Sequence, residues 1–155
     1  MGQTILIANR QRTKKIHTRF IRQIVSALFA ELKIENFELG VHLVGAKEMA
    51  RVNRQFLGHE GSTDVITFDH SEKQKAESRK QKKIHGELFI CVDDAVTQAK
   101  EFSTRWQSEV MRYIVHGVLH LLGHDDLEPA LRRKMKRAEN RLLRLLEASF
   151  SVARL

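Results

Sequence analysis

One cysteine, Cys91, in a chain of 155 residues excludes an intrachain disulfide. Set inside Leu-Phe-Ile-Cys-Val, it reads as a buried, inert thiol. One proline and 8 glycines leave no material for a Pro/Gly-rich linker between domains. No apolar run approaches the roughly 18 residues that cross a bilayer, and the first residues lack the apolar core of a signal peptide. These absences lead us to expect a cytoplasmic protein of one domain, residues 1–155, with no membrane partner. Acidic charge is the minority: 19 Asp+Glu against 27 Lys+Arg give a formal net charge of +8. The resulting pI of about 9.9 favours an anionic partner such as nucleic acid. With 42% hydrophobic residues the chain can still build a substantial core.

Hydrophobic spacing then assigns the elements. Residues 4–8 are short and isoleucine-containing, as a buried strand would be, and Phe20, Ile21, Ile24, Val25, Leu28 and Leu32 recur at helical spacing. Leu39, Val41 and Leu43 alternate with Gly40 and His42, which predicts a second strand with His42 facing solvent. Residues 46–57 return to the helical period and stop at Gly58, and residues 64–68 read as a third strand. Residues 70–83 hold almost nothing to bury and predict a mobile basic loop, either a solvated linker or an RNA-contacting arm. The nearly continuous apolar run 87–92 predicts a strand covered on both faces. Helices follow through Ala95 and Ala99 and over 106–122, where Trp106, Val110, Tyr113 and Ile114 face the core. Pro129 opens a last helix, with an apolar seam of Leu131, Met135, Ala138, Leu142 and Leu145. Seven cations, Arg132 to Arg144, lie opposite that seam, with Glu139 the only acid in the span. The expected fold is α/β (α+β): about four strands in a mixed sheet, packed against several helices.

Chemistry concentrates in His-Gly-Val-Leu-His-Leu-Leu-Gly-His-Asp-Asp, residues 116–126. Histidines four apart share one helical face, so His116 and His120 can converge on one ion at the end of a central helix. His124 would continue that stripe, but three ligands spread over about 12 Å of helix axis cannot share an ion bound at about 2 Å. The helix must therefore end near Gly123, and a residue beyond it must return. Asp126 is the leading third ligand, with His124 or Asp125 as alternatives. Two nitrogens and a carboxylate suit one zinc ion with a fourth position open to water. The frame resembles the H-E-x-x-H-x-x-G-x-x-H of metzincin peptidases, but Gly117 stands where their glutamate base would be. Glu109 is the nearest helical substitute, about 10 Å up the axis.

Residues 116–126 also resemble the hallmark H-G-x-L-H-L-x-G-x-D-H of the YbeY endoribonuclease family, bacterial rRNA maturation factors. Every fixed position agrees except the last, where Asp126 replaces a histidine. Ser62-Thr63-Asp64-Val65-Ile66-Thr67-Phe68 is similar to the family's T-D-V-L-S-F block, and Gly86-Glu87-Leu88-Phe89-Ile90 to its G-D-I-x-I strand. A further departure is Leu57, after Phe56, where the family carries an arginine; its contact with phosphate would be absent or taken over by Arg51 or Arg54. The resemblance implies a zinc-dependent endoribonuclease, specific for single strands, acting in 16S rRNA maturation and ribosome quality control. Its partners would be rRNA and the small ribosomal subunit, with the protein itself a monomer. His116, His120 and Asp126 would bind the metal, and His124 and Asp125 would act as orienters or proton carriers. Arg51, Arg54, Lys82 and Lys83 would meet RNA. The competing readings are a metallopeptidase-like hydrolase and a non-catalytic ribosome-associated factor with a structural metal.

Overall fold

The computed structural model describes residues 2–71 and 82–155. Period-two burial organises a four-stranded sheet from β1 (Gln3–Asn9), β2 (Asn36–Val44), β3 (Val65–Asp69) and β4 (Lys83–Cys91), in the order β1-β2-β4-β3. β1, β2 and β4 run parallel, and β3 closes one edge antiparallel to β4. Leu39, Val41 and Leu43 of β2 and Ile84, Leu88 and Ile90 of β4 share one buried face. Against it pack α1 (Thr18–Glu31), α3 (Val92–Phe102) and α4 (Trp106–Leu121), with α5 (Pro129–Ser149) completing the layer. Among the described residues the opposite face is covered at one end, where Met49 and Val52 of α2 (Ala46–Val52) meet Val44, Ile66 and Cys91. Cys91 is buried, and burial pushes its thiol up to about 11. Among the described residues no helix is long and apolar enough to cross a membrane.

Several expectations need correction. Residues 87–92 are not a strand covered on both faces: β4 alternates buried and half-buried positions, and Val92 already begins α3. His42 does not face open solvent. It pairs across the ladder with Phe89, their rings stack at 4.3 Å, and its Nε2 lies 2.8 Å from Glu87 Oε1, leaving its side chain 20% exposed. The helix expected over 46–57 divides into α2 and a π turn, Asn53–Leu57, which ends at Gly58 with φ 68° as the glycine stop predicts. The seam of α5 is rotated from the expected one. Met135, Leu142, Leu143 and Leu146 are buried together with Glu139, while Leu131 and Leu145 are 39% and 42% exposed. Finally, the basic segment is shorter than 70–83. Lys83 is the first residue of β4, opposite Asn36, and the His70 amide donates to the His85 carbonyl at 2.8 Å. Residues 72–81 of that expectation lie outside the described residues.

Two glycines let α4 lie close on the sheet. A Cβ on Gly86 would meet the Phe68 carbonyl oxygen at 2.5 Å and Leu121 Cδ2 at 2.9 Å; one on Gly117 would meet Leu88 Cδ2 at 2.6 Å. The Gly86 clash is partly with backbone and cannot relax by a rotamer change. Gly86→Ala is therefore expected to lower stability by about 1–3 kcal/mol, the scale of overpacking a dense interior. Urea unfolding checks this, and an unchanged midpoint would contradict the close approach.

Candidate metal centre

α4 ends where glycine permits it to end. Gly123 has φ 99°, its amide donates to the His120 carbonyl at 2.9 Å, and the His124 amide donates to the Leu119 carbonyl at 3.0 Å. These two bonds make a Schellman turn, which reverses the chain with a left-handed glycine. The reversal brings Asp126 back over the last turns of α4. Its Oδ2 lies 3.7 Å from His120 Nε2 and 4.0 Å from His116 Nε2, and the two Nε2 atoms are 3.1 Å apart.

Both imidazoles are held by their other nitrogen. His116 Nδ1 donates to Glu139 Oε1 at 2.8 Å, and His120 Nδ1 donates to the His124 carbonyl at 3.0 Å. Each partner is an acceptor only, so in the neutral imidazoles both Nε2 atoms carry lone pairs, and these face the same space as a carboxylate. Two imidazole lone pairs so close together repel unless a cation lies between them. The negative end of the α4 dipole adds to that preference. Ligands around a tetrahedral ion bound at about 2.0–2.1 Å stand roughly 3.4 Å apart, and the separations here bracket that spacing. His116, His120 and Asp126 could therefore hold one metal ion, their ligand atoms all lying within 4.8 Å of one another.

Glu139 was missed from the sequence because it was counted with the charged face of α5. Its side chain is 4% exposed, and it accepts from Arg112 Nη1 at 2.6 Å and Lys136 Nζ at 3.2 Å as well as from His116. Burial alone would raise its pKa. The hydrogen bonds from His116 and Arg112, with the nearby Lys136 charge, win and hold it at about 2. A signal was available: Glu139 lies four residues after Met135 and three before Leu142, on the stripe that packs inward.

The other expected site residues separate. His124 contributes its carbonyl to His120, and its own ring is held below the usual histidine range by burial and then by the Lys134, His120 and Lys82 charges. Asp125 Oδ1 accepts the Leu127 amide at 2.8 Å, closing the turn that leads into α5. Lys82 Nζ reaches the Leu32 carbonyl at 3.3 Å. Arg51 and Arg54 line a cavity of about 770 Å³ to which none of the three ligands contributes. Gly117 points at Leu88 and Thr67 of the sheet, so no side chain there could serve as a peptidase base. Glu109 is also committed, accepting the Thr104 hydroxyl at 2.8 Å.

A sequence profile of the family described as endoribonuclease YbeY matches residues 6–147, a span that contains the whole centre. The chain belongs to the YbeY family. A YbeY endoribonuclease of Chlorobium phaeovibrioides is 39% identical over 107 residues, 69% of this chain and 67% of the relative. One from Alkaliphilus metalliredigens is 29% identical over 147 residues, 92% of this chain and 95% of its own. The solution structure of a Thermotoga maritima protein superposes with a TM-score of 0.67 at 23% identity, covering 94% of this chain and 91% of that one, which supports the fold. Within this YbeY chain, Glu139→Gln is expected to weaken binding of a divalent metal at the candidate centre by about 10–100-fold, since partners that orient metal-bound histidines carry effects of that size. Asp126→Asn should weaken it too, whereas His124→Ala should leave affinity within about twofold because only the carbonyl of residue 124 is used. Competition with a chromophoric chelator measures all three, and normal affinity in Glu139→Gln or Asp126→Asn would refute the corresponding role.

Proposed function

We propose that this chain is a zinc-dependent endoribonuclease that cuts single-stranded RNA during 16S rRNA maturation and ribosome quality control in the cytoplasm. The observation that carries this reading is the convergence of His116 Nε2, His120 Nε2 and Asp126 Oδ2 on one space, with both Nδ1 atoms already committed. Membership in a family named for endoribonuclease activity supports RNA as the substrate class. A zinc ion held there would supply Lewis acidity toward a phosphoryl oxygen and a nucleophile at neutral pH.

The chain's own residues do the rest. Glu139 and the His124 carbonyl keep the two imidazoles in the tautomer that presents Nε2. Asp125, by capping Leu127, shapes the turn from which Asp126 returns. We therefore assign His124 and Asp125 positioning roles in catalysis. Lys82 and Lys134, whose charges act on His124, form a cationic rim suited to the phosphates flanking the scissile bond. Lys83, exposed at the start of β4, extends it. Peptide hydrolysis is disfavoured because Gly117 faces the sheet and Glu109 is bound to Thr104.

Cleavage of a single-stranded oligonucleotide drawn from 16S rRNA tests the proposal. His120→Ala should reduce the rate at least about 100-fold, because a catalytic metal contributes several kcal/mol and each 1.36 kcal/mol is tenfold. Chelation should act in the same way, with zinc restoring the wild type but not the variant. Equal rates in both proteins would place the activity elsewhere, and no cleavage by zinc-loaded wild type would favour a ribosome-associated factor with a structural metal.

A further inference from the structure

The sheet has a second chemically distinctive place, at its other end. β1, β2 and β4 are parallel, so their carboxyl ends all point the same way. After β1 the chain passes to α1 on the helical face, whereas after β2 it passes to α2 on the opposite face. Neighbouring strands whose connections leave to opposite sides open a crevice between them, and open α/β sheets bind ligands in that crevice. The cavity of about 770 Å³ lies here, lined by residues 10–13 after β1, residues 45–48 after β2, and Asp93 after β4. Its volume falls in the range of small-molecule sites, well above that of one inorganic ion.

Its lining is cationic: Arg10, Arg12, Lys47, Arg51 and Arg54 against Glu48, Glu60 and Asp93. Two of the three acids are already used. Glu48 is held by Arg10 Nε at 3.1 Å and Nη2 at 2.8 Å, with Arg51 at 3.8 Å. Asp93 accepts the Ala46 amide at 2.6 Å and the Thr13 hydroxyl. Among the described residues, Arg12, Lys47 and Arg54 make no ion pair. The wall that carries Arg12 is also preformed. Gln11 is buried, its Nε2 donates to Asn9 Oδ1 and the Lys14 carbonyl, and its Oε1 accepts the amides of Thr13 and Lys14. A braced loop that offers unpaired cations loses little entropy when an anion arrives.

We propose that this crevice binds the phosphate of a nucleotide, free or at the end of an RNA strand, apart from the metal centre. Arg12, Lys47 and Arg54 make the charge-assisted contacts to phosphate, and the remaining volume receives the nucleoside. The two places share no residue: none of His116, His120 and Asp126 lines the crevice. The site therefore stands independently of the catalytic reading.

Calorimetry on the full chain in excess chelator, with ADP as one probe and a 5′-phosphorylated tetraribonucleotide as the other, tests this directly. Lys47→Glu and Arg54→Glu should each raise the Kd at least about tenfold, the scale of one lost charge-assisted hydrogen bond. His120→Ala should leave it within about twofold. Binding of ADP identifies a free nucleotide as ligand, and binding of the tetranucleotide alone identifies an RNA end. Circular dichroism confirms that the variants, all at exposed positions apart from His120, remain folded. Absence of binding by both probes, unchanged affinity in folded Lys47→Glu and Arg54→Glu, or equal loss in His120→Ala would overturn the proposal.

Discussion

A buried carboxylate joins α4 to α5 and sets the geometry of the candidate metal centre. Glu139 is nearly inaccessible, and an unpaired charge in that position would be prohibitive. It is tolerated because His116, Arg112 and Lys136 all donate to it. Removing one member of such a cluster leaves the others uncompensated, so packing and chemistry are coupled at this point. The bond that orients His116 for a cation also docks the basic C-terminal helix on the core.

The remaining geometry follows from close approach and reversal. Gly86 and Gly117 bring α4 onto the sheet, which aims Gly117 at Leu88 and leaves His116 and His120 on the stripe facing α5. Gly123 then turns the chain so that Asp126 completes the donor set. A peptidase-like spacing of histidines is thus built into a site that has no room for a peptidase base. The same sheet, with α1 and α2 leaving its parallel strands toward opposite faces, opens a cationic crevice that His116 and His120 do not line.

Much of this was legible beforehand. The four strands, the helical periods, the glycine stops at Gly58 and Gly123, and the donor set of His116, His120 and Asp126 follow from local spacing, which short-range sterics enforce. What failed were several judgements about which side of an element faces what. His42 looked solvent-facing because its strand neighbours do not reveal Phe89 and Glu87 on the adjacent strand. Glu139 looked like one more surface charge, and Leu131 and Leu145 looked like seam residues, because a helix rotation of a few tens of degrees is invisible to periodicity alone. Arg51 and Arg54 line a different cavity from the candidate metal ligands, a placement that spacing does not reveal.

By itself the sequence determined the candidate ligand types, their spacing and the place where the helix must stop, since two imidazoles four residues apart and a glycine in the left-handed region leave few alternatives. Tertiary structure alone decided the tautomer of His116, the role of Glu139 and the separation of the candidate metal centre from the cationic crevice. Those depend on contacts between residues 23 positions or more apart, or on which face of the sheet a connection takes, and no local pattern encodes either.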